Sequence, residues 1–246
     1  MDVLTLEASK GLTLADKHCF EAGTLNMVVG RQAKDLLDSA EEVIKQLMDD
    51  DLGCPYAVIG SKGYQVEDKD NLASIWKYMR DKPRCVEALY NLLGSISRDF
   101  KEVAVDVNGD FYFHCKHHKF REFTDFKDMD DMSASFKNTL KAALKAFIPS
   151  NGVVVIHDIE QVGSDNHKAL IEYLTVMTVM RDNRTVMSTQ SMDAVKAYNS
   201  VMLDNSGLDS VMVVVVGNTP DNCDILKQAK VEAELFNNML GGVMGL

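Results

Sequence analysis

The chain has 246 residues, 46% of them hydrophobic, and a formal net charge of −11. That is enough apolar material for a sizeable core, and too much negative charge for a surface built to track a phosphate backbone, where affinity comes from Lys and Arg displacing condensed counterions. No apolar run approaches the ~18 residues of a membrane span. The opening stretch MDVLTLEASK carries acids where a secretory leader carries basic residues, so the expected location is the cytoplasm.

Cys19, Cys54, Cys85, Cys115 and Cys223 are odd in number, widely spaced and free of any CxxC pair, which argues for reduced thiols rather than a disulfide framework or a structural zinc site. Four prolines and no low-complexity tract leave little room for linkers, and one domain over residues 1–246 is the expectation. Contact with nucleic acid is expected only locally or through a partner.

In chain order, residues 24–30 form a short apolar run ending in Gly30, and residues 33–50 carry Leu36, Leu37, Ala40, Val43, Ile44 and Leu47 at helical spacing. Gly53 and Pro55 stop that helix, residues 56–60 read as a second strand, and the opening is therefore a β-α-β unit. Residues 71–78 and 86–96 read as two helices broken near Pro83. Residues 102–107 and 110–115 are β-rich and joined through Asn108-Gly109, a strong hairpin signal. Residues 133–147 form an amphipathic helix with Phe136, Leu140, Ala143, Leu144 and Phe147 on one face. The strand Val153–Ile156 shows no alternation, as expected of a strand buried on both faces. Helices at 166–180 and 192–202 then alternate with strands at 185–189 and 210–216, and a last helix spans 224–240 in a C-terminal tail at 224–246. This rhythm predicts a mainly parallel sheet with right-handed crossovers and helices on both faces.

Four stretches carry a likeness to a known family. Gly23-Thr-Leu-Asn-Met-Val-Val-Gly30-Arg31 resembles a strand entering a phosphate loop, and Val153-Val-Val-Ile-His-Asp158 resembles a Walker B strand. Thr185-Val-Met-Ser-Thr-Gln190 resembles the following strand, which ends in Ser-Gln or a similar pair and reads the γ-phosphate. Leu203-Asp-Asn-Ser-Gly207-Leu-Asp209 and the valine-rich strand after it resemble the next unit. In order and spacing the chain resembles the RecA-like core shared by RecA, the KaiC proteins and the DnaB-type helicases. The resemblance implies a RecA-like α/β fold and a nucleotide site at Gly30, Lys34, Asp158 and Gln190.

The residues of that site depart from a working P-loop, GxxxxGK[ST], which needs glycines for a backbone anion nest, a lysine for the β- and γ-phosphates and a hydroxyl on Mg²⁺. Here Gly30-Arg-Gln-Ala-Lys34-Asp35 lacks the second glycine, is about two residues short, and sets Asp35 where the Ser or Thr belongs, a carboxylate facing a triphosphate. Tyr56-Ala-Val-Ile-Gly-Ser-Lys62-Gly63 offers no glutamate to orient the attacking water. Asp158 could hold Mg²⁺ with Glu160 as an unorthodox base, although a carboxylate at a strand end equally serves as a turn or capping group.

Other clusters are weaker. In His114-Cys115-Lys116-His117-His118, neighbouring side chains on a strand point to opposite faces and do not close a zinc tetrahedron, so no metal site is expected. Cys115 beside Lys116 is a position where a thiol pKa could be lowered, with no catalytic dyad nearby. Asp125, Asp128, Asp130 and Asp131 read as a solvated acidic turn before a helix.

The implied function is that of a degenerate, non-catalytic RecA-like protein without a resident cofactor. It would act by assembly as an accessory factor in DNA replication, recombination or packaging, for instance in a bacteriophage, and form a homo-oligomer or bind a protein partner. Met177, Met180 and the tail residues Leu235, Phe236, Met239 and Leu240 are candidate apolar contacts, with core packing as their other reading. The contrasting function is an ATP- and Mg²⁺-binding NTPase using Lys34 or Lys62, Asp158 and Gln190.

Overall fold

The computed structural model describes residues 3–7, 22–30, 56–59, 69–116, 124–162, 166–205 and 212–216. Nine strands and five helices are named in chain order: β1 (Val3–Glu7), β2 (Leu25–Val29), β3 (Tyr56–Ile59), α1 (Lys69–Met79), α2 (Pro83–Ile96), β4 (Phe100–Val105), β5 (Phe111–Lys116) and β6 (Thr124–Asp128) come first. They are followed by α3 (Ala134–Phe147), β7 (Val153–Ile156), α4 (His167–Met180), β8 (Arg184–Thr189), α5 (Met192–Asp204) and β9 (Met212–Val216). A single turn of 3₁₀ helix, Ile159–Val162, links β7 to α4.

Six strands form one sheet in the order β1-β9-β2-β8-β7-β3, and every pairing in it is parallel. The chain is thus an α/β protein. As the unbroken apolar run Val153–Ile156 predicts, β7 is central: all four of its residues are buried, and it pairs with β8 on one side and β3 on the other. The successive residues of β2 point to alternate faces and are buried too, so both faces of the sheet are covered there.

The steps β3 to β7, β7 to β8 and β8 to β9 all move the same way along the sheet. Right-handed crossovers therefore set α3, α4 and α5 side by side on one face, in agreement with the contacts of α4 with both α3 and α5. Two buried tyrosines fasten this layer. The Tyr173 hydroxyl of α4 donates to Ala143 O in α3 at 2.6 Å, and the Tyr198 hydroxyl of α5 donates to Leu25 O in β2 at 2.9 Å. The connection from β2 to β3, with the expected helix at 33–50, lies outside the described residues, as does the tail at 224–246.

Between β3 and β7 the chain builds a second layer, the antiparallel sheet β4-β5-β6. Its hairpin turns at Asn108-Gly109 as expected, with Asp106 Oδ1 accepting the N–H groups of Asn108 and Asp110 and Gly109 at a φ of 89° that favours glycine. Its inner face presents Phe111, Phe113 and Cys115. Phe136 of α3 packs against Phe100 and Phe113 at ring separations of 5.5 and 5.1 Å. The aspartates read as one acidic turn are divided between two structures: Asp125 and Asp128 belong to β6, and only after it does Asp128 Oδ1 accept the N–H groups of Asp130 and Asp131. Cross-strand pairing with β5 holds a strand that has a single apolar side chain.

Helix ends follow their sequence signals. Pro83 opens α2, and Ser133, Asn166 and Ser191 cap α3, α4 and α5 through side-chain oxygens that accept from Phe136, Ala169 and Ala194. Arg181 does the converse work at the C-terminus of α3. Its buried guanidinium donates to the carbonyls of Phe147, Ile148 and Pro149, and it lies over the Phe147 and Tyr78 rings at 4.6 and 5.4 Å.

Candidate functional site

In open α/β sheets ligands bind beyond the C-terminal ends of the strands. Three of the four residues singled out in the sequence lie there, on three adjacent strands. Gly30 follows β2, Gln190 follows β8 and Asp158 lies two residues beyond β7. The β2–β8 register pairs Val29 with Thr189, and the Gly30 N–H donates to Thr189 O at 2.9 Å, which sets Gly30 beside Gln190. The Asp158 N–H donates to the Ser188 hydroxyl at 2.8 Å, fixing the turn after β7 against β8. With strands about 4.8 Å apart, Gly30 and Asp158 stand about 10 Å from each other with the end of β8 between them. Lys34, Asp35 and Lys62 lie outside the described residues.

Two backbones at this edge are left-handed, Gly30 at φ 130° and Asp158 at φ 50°. Asn151 and Asp182 share that conformation in turns elsewhere, so positive φ alone does not single out Asp158. Its carboxylate is half-exposed and accepts Gln161 Nε2 at 3.3 Å through Oδ2. It is thus a turn group with accessible oxygens.

Beside these residues, Glu160 gathers three hydrogen bonds on one oxygen. Its Oε1 accepts from the Thr189 hydroxyl at 2.5 Å, the Gln190 N–H at 2.6 Å and the Ser191 N–H at 2.7 Å. Ser191 is the N-cap of α5, so a carboxylate from the 3₁₀ turn fills the anion-favouring end of that helix. Besides the base role considered from the sequence, Glu160 thus has a structural one: all three donors fall on Oε1, which acts as a capping acceptor. No local pattern signals this role, because the donors lie about thirty residues downstream.

The His-Cys cluster is divided by the strand pleat. Cys115 points into the core of the small sheet, whereas His114 points outward, with Nδ1 2.6 Å from Glu102 Oε1 and its ring against Phe126. His117 and His118 lie outside the described residues. Among the described residues no group of three or more His, Cys, Asp or Glu side chains comes together in a way that could hold a metal ion. The expectation of a lowered Cys115 pKa is also corrected: burial pushes the thiol up, against a smaller opposing pull from Lys127. Cys85 is raised by burial as well.

Of the candidate contact residues, Met177 is core, whereas Met180 and its neighbour Val179 are 42% and 51% exposed. They border a groove between α2 and α4 that Arg84, Glu87 and Asn91 complete. No helix among the described residues is long and apolar enough to cross a membrane.

No protein-family model matches the chain, and no curated protein matches it. The class is therefore defined by the fold, an α/β protein with a six-stranded parallel sheet.

Proposed function

We propose that the chain is a RecA-like domain whose nucleotide site has decayed, and that it acts through assembly, as an accessory or scaffold factor in DNA replication, recombination or packaging. The observation that carries this reading is the strand order. A site in which one strand end approaches the phosphates, a second supplies an acid for the metal and a third reads the terminal phosphate between them needs those ends on neighbouring strands, with the reader in the middle. The arrangement of Gly30, Gln190 and Asp158 on β2, β8 and β7 meets that requirement. It also differs from the two common doubly wound orders, in which the first two strands of the βαβ series are neighbours; here β8 and β7 separate β2 from β3.

The sequence after Gly30 lacks the glycine nest and sets Asp35 in place of the metal-binding hydroxyl, and the N–H groups of Gln190 and Ser191 are occupied by Glu160. Phosphoryl transfer rests almost entirely on positioning and charge stabilisation, so these losses compound. The exposed Val179 and Met180 offer apolar surface for a second copy or a protein partner.

Calorimetric titration of ATP with Mg²⁺ into the wild-type chain and Asp158→Ala, together with light scattering at tens of micromolar protein, tests both halves. The reading expects no Asp158-dependent binding and a mass above the monomer. Tight binding lost in Asp158→Ala contradicts the decay, and a strict monomer that captures no partner contradicts the assembly.

A further inference from the structure

A cleft of about 450 Å³ opens between α1, the small sheet and the outer face of α3. Its volume falls in the range of small-molecule sites. Leu72 and Phe111 give it a buried apolar floor.

The charges around it are sorted. Lys137 and Lys141, one helical turn apart on the same face of α3, line one wall and are half-buried. Among the described residues neither ammonium is in a hydrogen bond or an ion pair. Burial, then the neighbouring Lys137, lowers the Lys141 pKa, and no carboxylate contributes. Asp110, Asp128 and Asp130 stand at the exposed rim. Two neighbouring cations, partly removed from water and in no ion pair among the described residues, are an unfavourable arrangement that an anion would relieve. A pure anion must pass three carboxylates at the rim, whereas a cationic group left among them is attracted.

We propose that this cleft binds a small dipolar molecule, with a phosphate or carboxylate head between Lys137 and Lys141, a short apolar spacer over Leu72 and Phe111, and an amine at Asp110, Asp128 and Asp130. The lining of this cleft includes none of Gly30, Asp158, Glu160 and Gln190, and the proposal does not depend on how the strand-end site is read.

The test is an amide chemical-shift titration of the full chain with three probes: phosphoethanolamine, 6-aminohexanoate and inorganic phosphate. At least one zwitterion is expected to shift Phe111, Met129 and Lys141 saturably, and the better of the two identifies the head group. Lys137→Met/Lys141→Met should weaken that zwitterion about tenfold or more. Asp110→Asn/Asp130→Asn, which leaves the turn-forming Asp128 in place, should weaken the zwitterion but leave inorganic phosphate unchanged or tighter. An unchanged melting temperature identifies variants that fold, and Lys141→Gln replaces the double variant if it does not. Absence of saturable shifts with both zwitterions, equal affinity in the lysine variants, or inorganic phosphate binding as tightly as phosphoethanolamine overturns the proposal.

Discussion

The Ser191 N–H donates to Glu160 Oε1 at 2.7 Å across 31 residues of sequence. With the Gln190 and Thr189 donors on the same oxygen, this contact ties the turn after β7 to the start of α5. Hydrogen bonds to a charged acceptor contribute more than neutral ones, so Glu160→Ala should destabilise the fold by about 2–4 kcal/mol and Glu160→Gln, which keeps an acceptor, by about 1–2 kcal/mol. Urea denaturation of the three proteins measures this. Costs below about 0.5 kcal/mol for both variants would mean that the contact does not hold in solution.

Phe136 joins α3 to the small sheet through Phe100 and Phe113 and is fully buried. Phe136→Ala should cost about 3–5 kcal/mol, and Phe136→Leu clearly less, by the cavity each leaves. Thermal denaturation followed by circular dichroism gives the order, and equal losses would contradict the packing described.

Tyr78 should ionise before Tyr90 and Tyr173 as pH rises. The Arg181 guanidinium, by hydrogen bonding, and then the charge of Lys82 hold its phenol below the ordinary tyrosine range, whereas burial raises Tyr90 and holds Tyr173 well above it. Because the folded pKa of Tyr78 is the lower one, its contribution to stability is present above the unfolded pKa and lost as pH falls through the folded value. A phenolate absorbance titration should lose a step below the ordinary tyrosine range in Tyr78→Phe. Loss of a step only within the ordinary tyrosine range would contradict the Arg181 contact.

Cys85 and Cys115 are free and buried, with thiol pKa values raised by that burial. Both should resist iodoacetamide in the native protein and react once it is unfolded. Peptide mapping of the alkylated protein reads this directly, and native modification of Cys115 would show that the inner face of the small sheet opens.

What the sequence disclosed, and what it hid, follows from the range of the interactions involved. Val153–Ile156 advertised a doubly buried strand because four apolar residues in a row have no solvent face, and Asn108-Gly109 advertised the hairpin because left-handed backbone is a local property. β1 was not foreseen: Val3–Glu7 finds its partner, Met212–Val216, at the far end of the chain. β6 was missed because Phe126 is its one apolar residue and points to solvent, so pairing rather than pattern makes the strand. At the candidate site, Gly30, Asp158 and Gln190 were legible as strand-end residues. The role of Glu160 was not, since it exists only once β7 and β8 lie side by side.

The most direct measurement of the central reading is steady-state ATP hydrolysis by the purified chain with Mg²⁺, set beside Lys34→Ala. A decayed site predicts phosphate release indistinguishable from the protein-free control in both. Turnover of roughly 1 per second, the lower end of ordinary enzyme rates, abolished by Lys34→Ala in a variant that melts like the wild type, would show instead a working phosphate loop.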